Sequence, residues 1–507
     1  MDVLPAAAAF TARYDRGEPQ LAWTTLVADL ETPVSAFLKL SGGRPHSFLL
    51  ESVEGGAVRG RYSILGFAPD AVWRCIGKRA EINRSPVEQP DGFFPCPEPP
   101  LAALRAFLNE SKLEIPAELP PMAAGVFGYL GYDTVRLMER LADSKPDKIG
   151  FDDAILMRPT IVVVFDAVRD SITVVTPVRP VAGVPAAQAY EAARDRILRI
   201  VRDLDASIEK SAPDVWSEPG PVRPASNTPA ADYEAMVRRA KEYIFAGDIF
   251  QVVLSQRFEA PFSLPPFALY RALRRVNPAP FLYYLDFGVF AVAGSSPEIL
   301  VRVREGKVTI RPIAGTRPRG TTPTADRALA EELLAYPKER AEHLMLLDLG
   351  RNDVGRVAKI GTVKVTEKFD LEFYSQVMHI VSNVEGELDP RFDALDAMIA
   401  GFPAGTVSGA PKVRAMEIID ELEHDKRGVY AGAVGYFAAD GSMDSCIVLR
   451  TAIVKDGRMY VQAGAGIVAD SDPAAELREC ENKAKALFRA AEEAVRFASG
   501  ARAIRTP

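Results

Sequence analysis

Two passages of short, β-branched and aromatic runs, each cut by tight turns, constrain this chain more than any other feature. In the first, 281–285, 289–294, 299–304 and 308–312 follow one another with only Gly and polar turns between them. In the second, 430–437, 445–454 and 459–463 are separated by Asp440-Gly441 and Asp456-Gly457, dipeptides that suit hairpin turns. A further hairpin is predicted from 160–166 and 171–177. Such short links join antiparallel strands, whereas parallel neighbours need a long crossover. Helical patterns fall between and after these passages, as in 186–204 and 233–246. The sequence therefore predicts an α+β fold with antiparallel sheets and not a doubly wound one. Gly464-Ala465-Gly466 does not rescue a dinucleotide-binding reading, because the third glycine and the following βαβ unit are missing.

At 507 residues the chain is too long for one core. The Pro-, Ser- and Ala-rich stretch 205–231 reads as a linker or surface loop, dividing an N-terminal region, 1–204, from a region at 232–495 and a tail at 496–507. Residues 85–100 carry six prolines and interrupt the N-terminal region. A net charge of −7 leaves no electrostatic footprint for nucleic acid or an anionic membrane. Cys75, Cys96, Cys446 and Cys480 have no C-x-x-C spacing, which argues against zinc or a disulfide framework and fits a reducing cytosol. The first residues lack the cationic lead-in of a signal peptide, and no apolar run approaches the roughly 20 residues that span a bilayer. A cytoplasmic location is expected.

Two helices carry paired acids. In the first, Pro337 suits the opening turn, and Glu339 and Glu342 share a face with Leu346 and Leu349. In the second, Asp472-Pro473 supplies a cap, and Glu476, Glu479 and Lys483 form one stripe. Each pattern alone suits a salt bridge to a nearby Arg or Lys. Two such helices beside glycine turns also suit Mg²⁺, which takes one or two carboxylates plus water and substrate oxygens. The turns read here are Ala314-Gly315-Thr316, the segment 403–412 ending at Lys412, and Ala463 to Gly466; the middle one lacks P-loop spacing. Arg450 is a lone cation inside an apolar strand, paired with an acid or turned into a cleft for a carboxylate, and Tyr430 opens the neighbouring strand. His379 sits in an apolar run that suits a hydrogen-bonded core histidine, and Glu298 stands where a strand begins.

Taken together, these segments resemble the chorismate-utilising enzyme family. The resemblance runs from about Ala231 to Val495 and is weaker over the N-terminal third. It rests on GDIFQVVLSQR (247–257), SSPEILV (295–301), RPIAGTRPRG (311–320), KERAEHLMLLDLGRNDVGRV (338–357), VMHIVSNVEG (377–386), FPAGTVSGAPK (402–412), YAGAVGY (430–436) and QAGAGIVADSDPAAELRECENKA (462–484). It implies large antiparallel sheets packed as a sandwich with helices outside. It also implies that Glu342 and Glu479 hold Mg²⁺, with Glu339 and Glu476 supporting them directly or through water. Gly315, Thr316, Tyr430, Arg450, Gly464, Ala465 and Gly466 are then chorismate contacts, Arg450 taking the enolpyruvyl carboxylate. Thr406 and Lys483 become further polar groups around the substrate, Glu298 the acid for the leaving C4 hydroxyl, and His379 an aid to elimination.

The implied reaction is the first committed step of tryptophan biosynthesis: ammonia adds at C2 of chorismate, the C4 hydroxyl leaves, and loss of pyruvate gives anthranilate. Family members that make isochorismate or salicylate typically carry Lys where Gln251 stands, to activate water, and those that aminate C4 typically carry Lys where Ala314 stands. None of the cysteines sits in a glutaminase nucleophile turn, so the resemblance implies a separate glutamine amidotransferase subunit and a hetero-oligomer. Leu49, Leu50, Glu51 and Ser52, with Pro280, Phe281, Leu282, Val434 and Tyr436, resemble the family's tryptophan-binding residues, which implies feedback inhibition with 1–204 contributing to the regulatory part. An amino-acid-sensing module without catalysis is the reading from another class. The family often places Asp where Tyr336 stands, and losing that cap costs roughly 1 kcal/mol of local stability.

Overall fold

The computed structural model describes residues 2–54, 58–208, 223–374 and 377–498. One long two-stranded ribbon organises them. Val58–Ile76 pairs with Ala154–Asp166 along nearly their whole length, and the register shifts between Pro69 and Ala71. Beside the shift Ala68 adopts φ +47°, and its carbonyl accepts the Thr160 hydroxyl at 2.6 Å. A bulge bends and twists a strand, so the two ends of this ribbon enter two different sheets.

The first sheet runs Gln20–Val27, Ser171–Val178, the ribbon, Ser47–Glu54, Phe281–Asp286, Ala291–Ser296, Thr451–Lys455, Arg458–Ile467 and Gln251–Pro261. The second runs Arg79–Asn83, the ribbon, Gly125–Leu130, Ala433–Ala438, Met443–Ile447, Ile299–Arg304, Lys307–Ile310 and Val377–Glu387. Ile313–Pro318 and Lys364–Phe373 flank that last strand. Every pairing among the described residues is antiparallel, as the short turns predict. In each sheet the strands from before residue 180 lie side by side and continue directly into strands from beyond residue 250, through Ser47–Glu54 beside Phe281–Asp286 in the first and Gly125–Leu130 beside Ala433–Ala438 in the second.

The sheets pack face to face. Trp23, Phe48, Ile64 and Tyr283 from the first meet Phe127, Tyr129, Val434 and Cys446 from the second. Phe48 and Phe127 stack across the interface with centroids 4.5 Å apart. The opposite face of the first sheet is also covered: Leu282 and Tyr284 pack under Pro33–Ser41 and Pro266–Val276. Burial on both faces explains why 281–285 is an unbroken apolar run. Pro100–Ser111, Pro337–Gly355 and Ala394–Gly401 cover the second sheet, while Ala230–Phe245, Lys412–Leu422 and Pro473–Ala498 pack around Gln251–Pro261 and Arg458–Ile467. The result is a sandwich with helices outside, α+β as expected. No helix among the described residues is long and apolar enough to cross a membrane.

Several local expectations need correction. The run 445–454 is two strands, Met443–Ile447 in the second sheet and Thr451–Lys455 in the first. Arg450 lies between them at φ +48°, where the chain changes sheets; an apolar run carries no mark of such a crossing. Gly464, Ala465 and Gly466 form no turn but lie inside Arg458–Ile467, and Ala314-Gly315-Thr316 lies inside Ile313–Pro318. The strand after Tyr430 begins only at Ala433. Ala186–Asp205 and Ala230–Phe245 reach into the stretch 205–231 from either side; its residues 209–222, and 499–507 of the tail, lie outside the described residues.

Candidate active site

The two acidic helices face one another where the free ends of the sheets meet. Pro337–Gly355 starts at Tyr336 with no side-chain cap, whereas Asp472 caps Pro473–Ala498 by accepting the Ala475 N–H at 2.8 Å. Glu342 accepts from the Gln251 amide at 3.2 Å. Burial raises its pKa first, the neighbouring Glu339 charge adds to that, and Glu479 pushes the same way. Burial and Glu479 likewise raise Glu476. Glu339 pairs with Arg317 at 3.0 Å, and Glu479 with Lys483 at 2.8 Å, so the salt bridges that each helix alone suggests are present. Lys338 reaches Asp470 at 3.0 Å; although partly buried, it holds its proton more tightly beside Asp470, Glu342 and Glu476. Among the described residues no three Asp, Glu, His or Cys side chains converge as a ready-made metal cage.

Gln251–Pro261 and Arg458–Ile467 form the floor, with Ser255 opposite Gly464 and Val253 opposite Gly466. A Cβ on Gly464 would lie 2.9 Å from both the Leu254 carbonyl and the Tyr430 hydroxyl, and one on Gly466 would lie 2.4 Å from the Gln251 amide nitrogen. Close approach of neighbours, not turn geometry, requires glycine here. The Gly464 carbonyl accepts from Lys483 at 2.9 Å, which ties Lys483 to the floor and to Glu479 at once.

Across from this floor sit the remaining candidates. Glu298 is buried just before Ile299–Arg304, and burial lifts its carboxyl from 4.5 to about 8 against the opposing effects of Thr406 and the Ile313 backbone. It is therefore mostly protonated at pH 7. Gly315 forms a bulge at φ +72°, with its Cβ position 3.1 Å from Glu339, so the bulge joins this wall to the first acidic helix. The Gly315 carbonyl and the Thr316 hydroxyl both lie 3.0 Å from His379 Nδ1. A carbonyl can only accept, so Nδ1 carries the hydrogen and Nε2 is left as an acceptor. Burial lowers the His379 pKa, keeping the ring neutral at pH 7. Arg450 is largely buried, which lowers its pKa; its carbonyl accepts from the Ser295 N–H at 3.2 Å, while its guanidinium makes no hydrogen bond or ion pair with another described residue. A buried guanidinium left without an acid is poised for a ligand carboxylate.

These groups stand in a chain whose comparisons agree. The family model for chorismate binding enzymes matches residues 49–489. Anthranilate synthase component 1 of Cereibacter sphaeroides is 57% identical over 493 residues, covering 96% of this chain and 98% of that one. The protein of the same name from Pseudomonas putida is 50% identical over 474 residues, covering 93% and 94%. The chain belongs to the chorismate-binding enzymes, among the anthranilate synthase component 1 proteins. The crystal structure of anthranilate synthase component I from Streptococcus pneumoniae, 38% identical, superposes with a TM-score of 0.75 and covers 92% of this chain and 99% of that one. The menaquinone-specific isochorismate synthase of Escherichia coli, at 19% identity and TM-score 0.69, shares the fold.

This member of the family also has a half-open cavity of about 910 Å³ between the two sheets. Leu50, Glu51, Ser52, Pro280, Phe281, Leu282, Val434 and Tyr436, eight of the nine residues that resemble tryptophan contacts, line it; Leu49 is instead buried in the core beneath the outer helices. Ser47–Glu54 and Phe281–Asp286 bring five of them together, pairing Ser52 with Phe281 and Glu51 with Leu282. The Glu51 carboxylate is held by Tyr270 and, at 2.8 Å, by Arg274.

Sequence reasoning missed a second layer. Arg427 and Glu423 form an almost fully buried pair at 2.6 Å. Arg427 also donates to the Val407 and Val253 carbonyls and lies over the Tyr430 ring, while Glu423 accepts from Ser255. Together they lock Tyr430, the Thr406 turn and the floor strand. Their four-residue spacing was visible, but an exposed surface pair has the same spacing. Lys412 is likewise buried against Asp353 at 2.8 Å, which accounts for the lysine of the 403–412 turn.

Proposed function

We propose that this chain forms anthranilate and pyruvate from chorismate and ammonia, with Mg²⁺ at the acidic helices, ammonia supplied by a separate glutamine amidotransferase subunit, and tryptophan as inhibitor. The relatives' names support the reaction, and one contact carries it to this site: Gln251, bonded to Glu342, has no basic nitrogen with which to activate water. Ala314 likewise has no amine to attack the ring. An amine nucleophile needs neither.

Glu342 and Glu479 fit Mg²⁺, with Glu339 and Glu476 in support, because burial and neighbouring acids already disfavour the charges of Glu342 and Glu476 and a cation relieves both. The lack of a larger cage among the described residues agrees with an ion that keeps water and substrate oxygens. When bound, Mg²⁺ would neutralise the ring carboxylate. The chain's own groups do the rest. Arg450 holds the enolpyruvyl carboxylate, while Gly315, Thr316, Tyr430 and the 464–466 strand shape the ring site, with Lys483 beside them. As the nitrogen lone pair forms the C2–N bond, the protonated Glu298 gives its proton to the C4 hydroxyl, which departs as water. Loss of the C2 proton with breakage of the C3–O bond then releases pyruvate and leaves an aromatic ring. Nε2 of His379 is the acceptor on that wall.

Purified protein should convert chorismate to a fluorescent product with ammonium salt and Mg²⁺. Isochorismate or 4-amino-4-deoxychorismate as the product would overturn the reading. An unchanged rate at saturating tryptophan would remove the inhibitor from the cavity.

A further inference from the structure

The large cavity and the catalytic wall are not separate compartments, because Tyr374 borders both. On one side it lines the cavity together with Glu372 and Arg311. Its hydroxyl donates to Glu372 at 2.5 Å, and Glu372 pairs with Arg311 at 2.5 Å. On the other side its ring meets His379 edge-on, with centroids 5.6 Å apart. Its carbonyl is fixed by Arg319 at 2.6 Å, and Arg319 is in turn clamped by Asp326 at 2.7 Å. The backbone of Tyr374 is therefore anchored, while its side chain spans the partition between the cavity and His379.

We propose that Tyr374 is a positioning residue: its ring sets His379 for the substrate, and its hydroxyl, through Glu372 and Arg311, passes the occupancy of the cavity to that histidine. This rests on the function proposed above and adds the route by which the two sites communicate. A ligand filling the cavity presses on the Glu372–Arg311 pair or draws it away. The hydroxyl must follow or lose its acceptor, and the ring then shifts against His379. Such coupling requires a group that contacts both sites in two arrangements, not mere nearness.

The test uses the full chain as wild type, Tyr374→Phe and Tyr374→Leu, assayed with chorismate, ammonium and Mg²⁺, with tryptophan binding measured separately by calorimetry. Tyr374→Phe keeps the ring and loses only the link to Glu372. It should hold KM for chorismate within about threefold, yet raise the half-inhibiting tryptophan concentration about tenfold while tryptophan still binds with near wild-type affinity. Tyr374→Leu loses the edge contact with His379 too and should lower kcat about tenfold with a smaller rise in KM. Unaltered inhibition in Tyr374→Phe would overturn the relay, even if the leucine variant fails to fold. An unaltered kcat in a folded Tyr374→Leu would overturn the positioning role. Wild type that neither makes anthranilate nor responds to tryptophan would instead sink the underlying function, so the failures are distinguishable.

Discussion

Replacing Glu298 by Gln removes a proton donor but keeps the size and most of the polarity of the side chain. Inside the fold this carboxyl is raised from 4.5 to about 8, chiefly by burial. Charging it there costs roughly 4–5 kcal/mol more than in the unfolded chain. The sign follows from proton uptake. Between those two values the folded protein keeps the proton that the unfolded chain has lost, so the stability from this group is complete below about pH 4.5, declines as pH rises, and is gone above about pH 8. The Gln variant has no such slope. Denaturant unfolding of both proteins from pH 5 to 9 should show the variant gaining on wild type by several kcal/mol toward the alkaline end. In the steady-state assay kcat should fall by about 10²–10⁴, with KM for chorismate little altered. The alkaline limb of the wild-type rate profile, near the pKa of about 8, should vanish from the residual activity. Because Thr406 opposes the shift, Thr406→Val should move that limb of the remaining activity upward. A variant with kcat within tenfold of wild type, or a stability difference that is flat with pH, would refute the assignment of Glu298 as a buried, protonated acid.

Glu342→Gln removes one of the repelling charges, so without metal the variant should match wild type or gain roughly 1 kcal/mol. The rise in melting temperature that Mg²⁺ gives wild type should be lost, and an equal rise in the variant would take Glu342 out of the metal site. Gly464→Ala forces a Cβ to 2.9 Å from the Tyr430 hydroxyl and the Leu254 carbonyl. It should cost about 1–3 kcal/mol on overpacking grounds and raise KM for chorismate, as read by chemical unfolding and steady-state kinetics. Arg427→Met strips the partner from the buried Glu423 carboxylate and should cost about 3–5 kcal/mol in a denaturant titration, where a loss below 1 kcal/mol would show the pair to be dispensable.

How far the sequence could be read depended on whether a signal was local. Turn dipeptides and strand-length apolar runs disclosed the antiparallel hairpins, because a short link admits only that pairing. Pro337 and Asp472-Pro473 marked the starts of both acidic helices, since helix ends need groups that local residues supply. The order of the motifs pointed to the family and to most of the candidate site residues. What failed was equally specific. Gly464 to Gly466 looked like a turn because glycine is common in turns, and only the neighbouring strand explains why side chains are excluded there. Arg450 looked like a strand residue because the apolar run does not record the passage from one sheet to the other.

By itself, then, the sequence determined the elements, their antiparallel pairing and the chemical types available to the site, all properties of residues near one another in the chain. Tertiary structure decided which of those groups act as unusual ones. Glu298 is protonated only because strands and helices from distant parts of the chain exclude water from it. His379 offers Nε2 only because the Gly315 carbonyl occupies Nδ1. Arg450 is left free for a carboxylate because the fold buries it where no described acid reaches. Burial and partnership are long-range, and no spacing along the chain encodes them. The two Glu-x-x-Glu stripes show the division most clearly: each was legible as a charged helix face, but the push of Glu479 on Glu342 exists only once the sandwich sets one helix against the other.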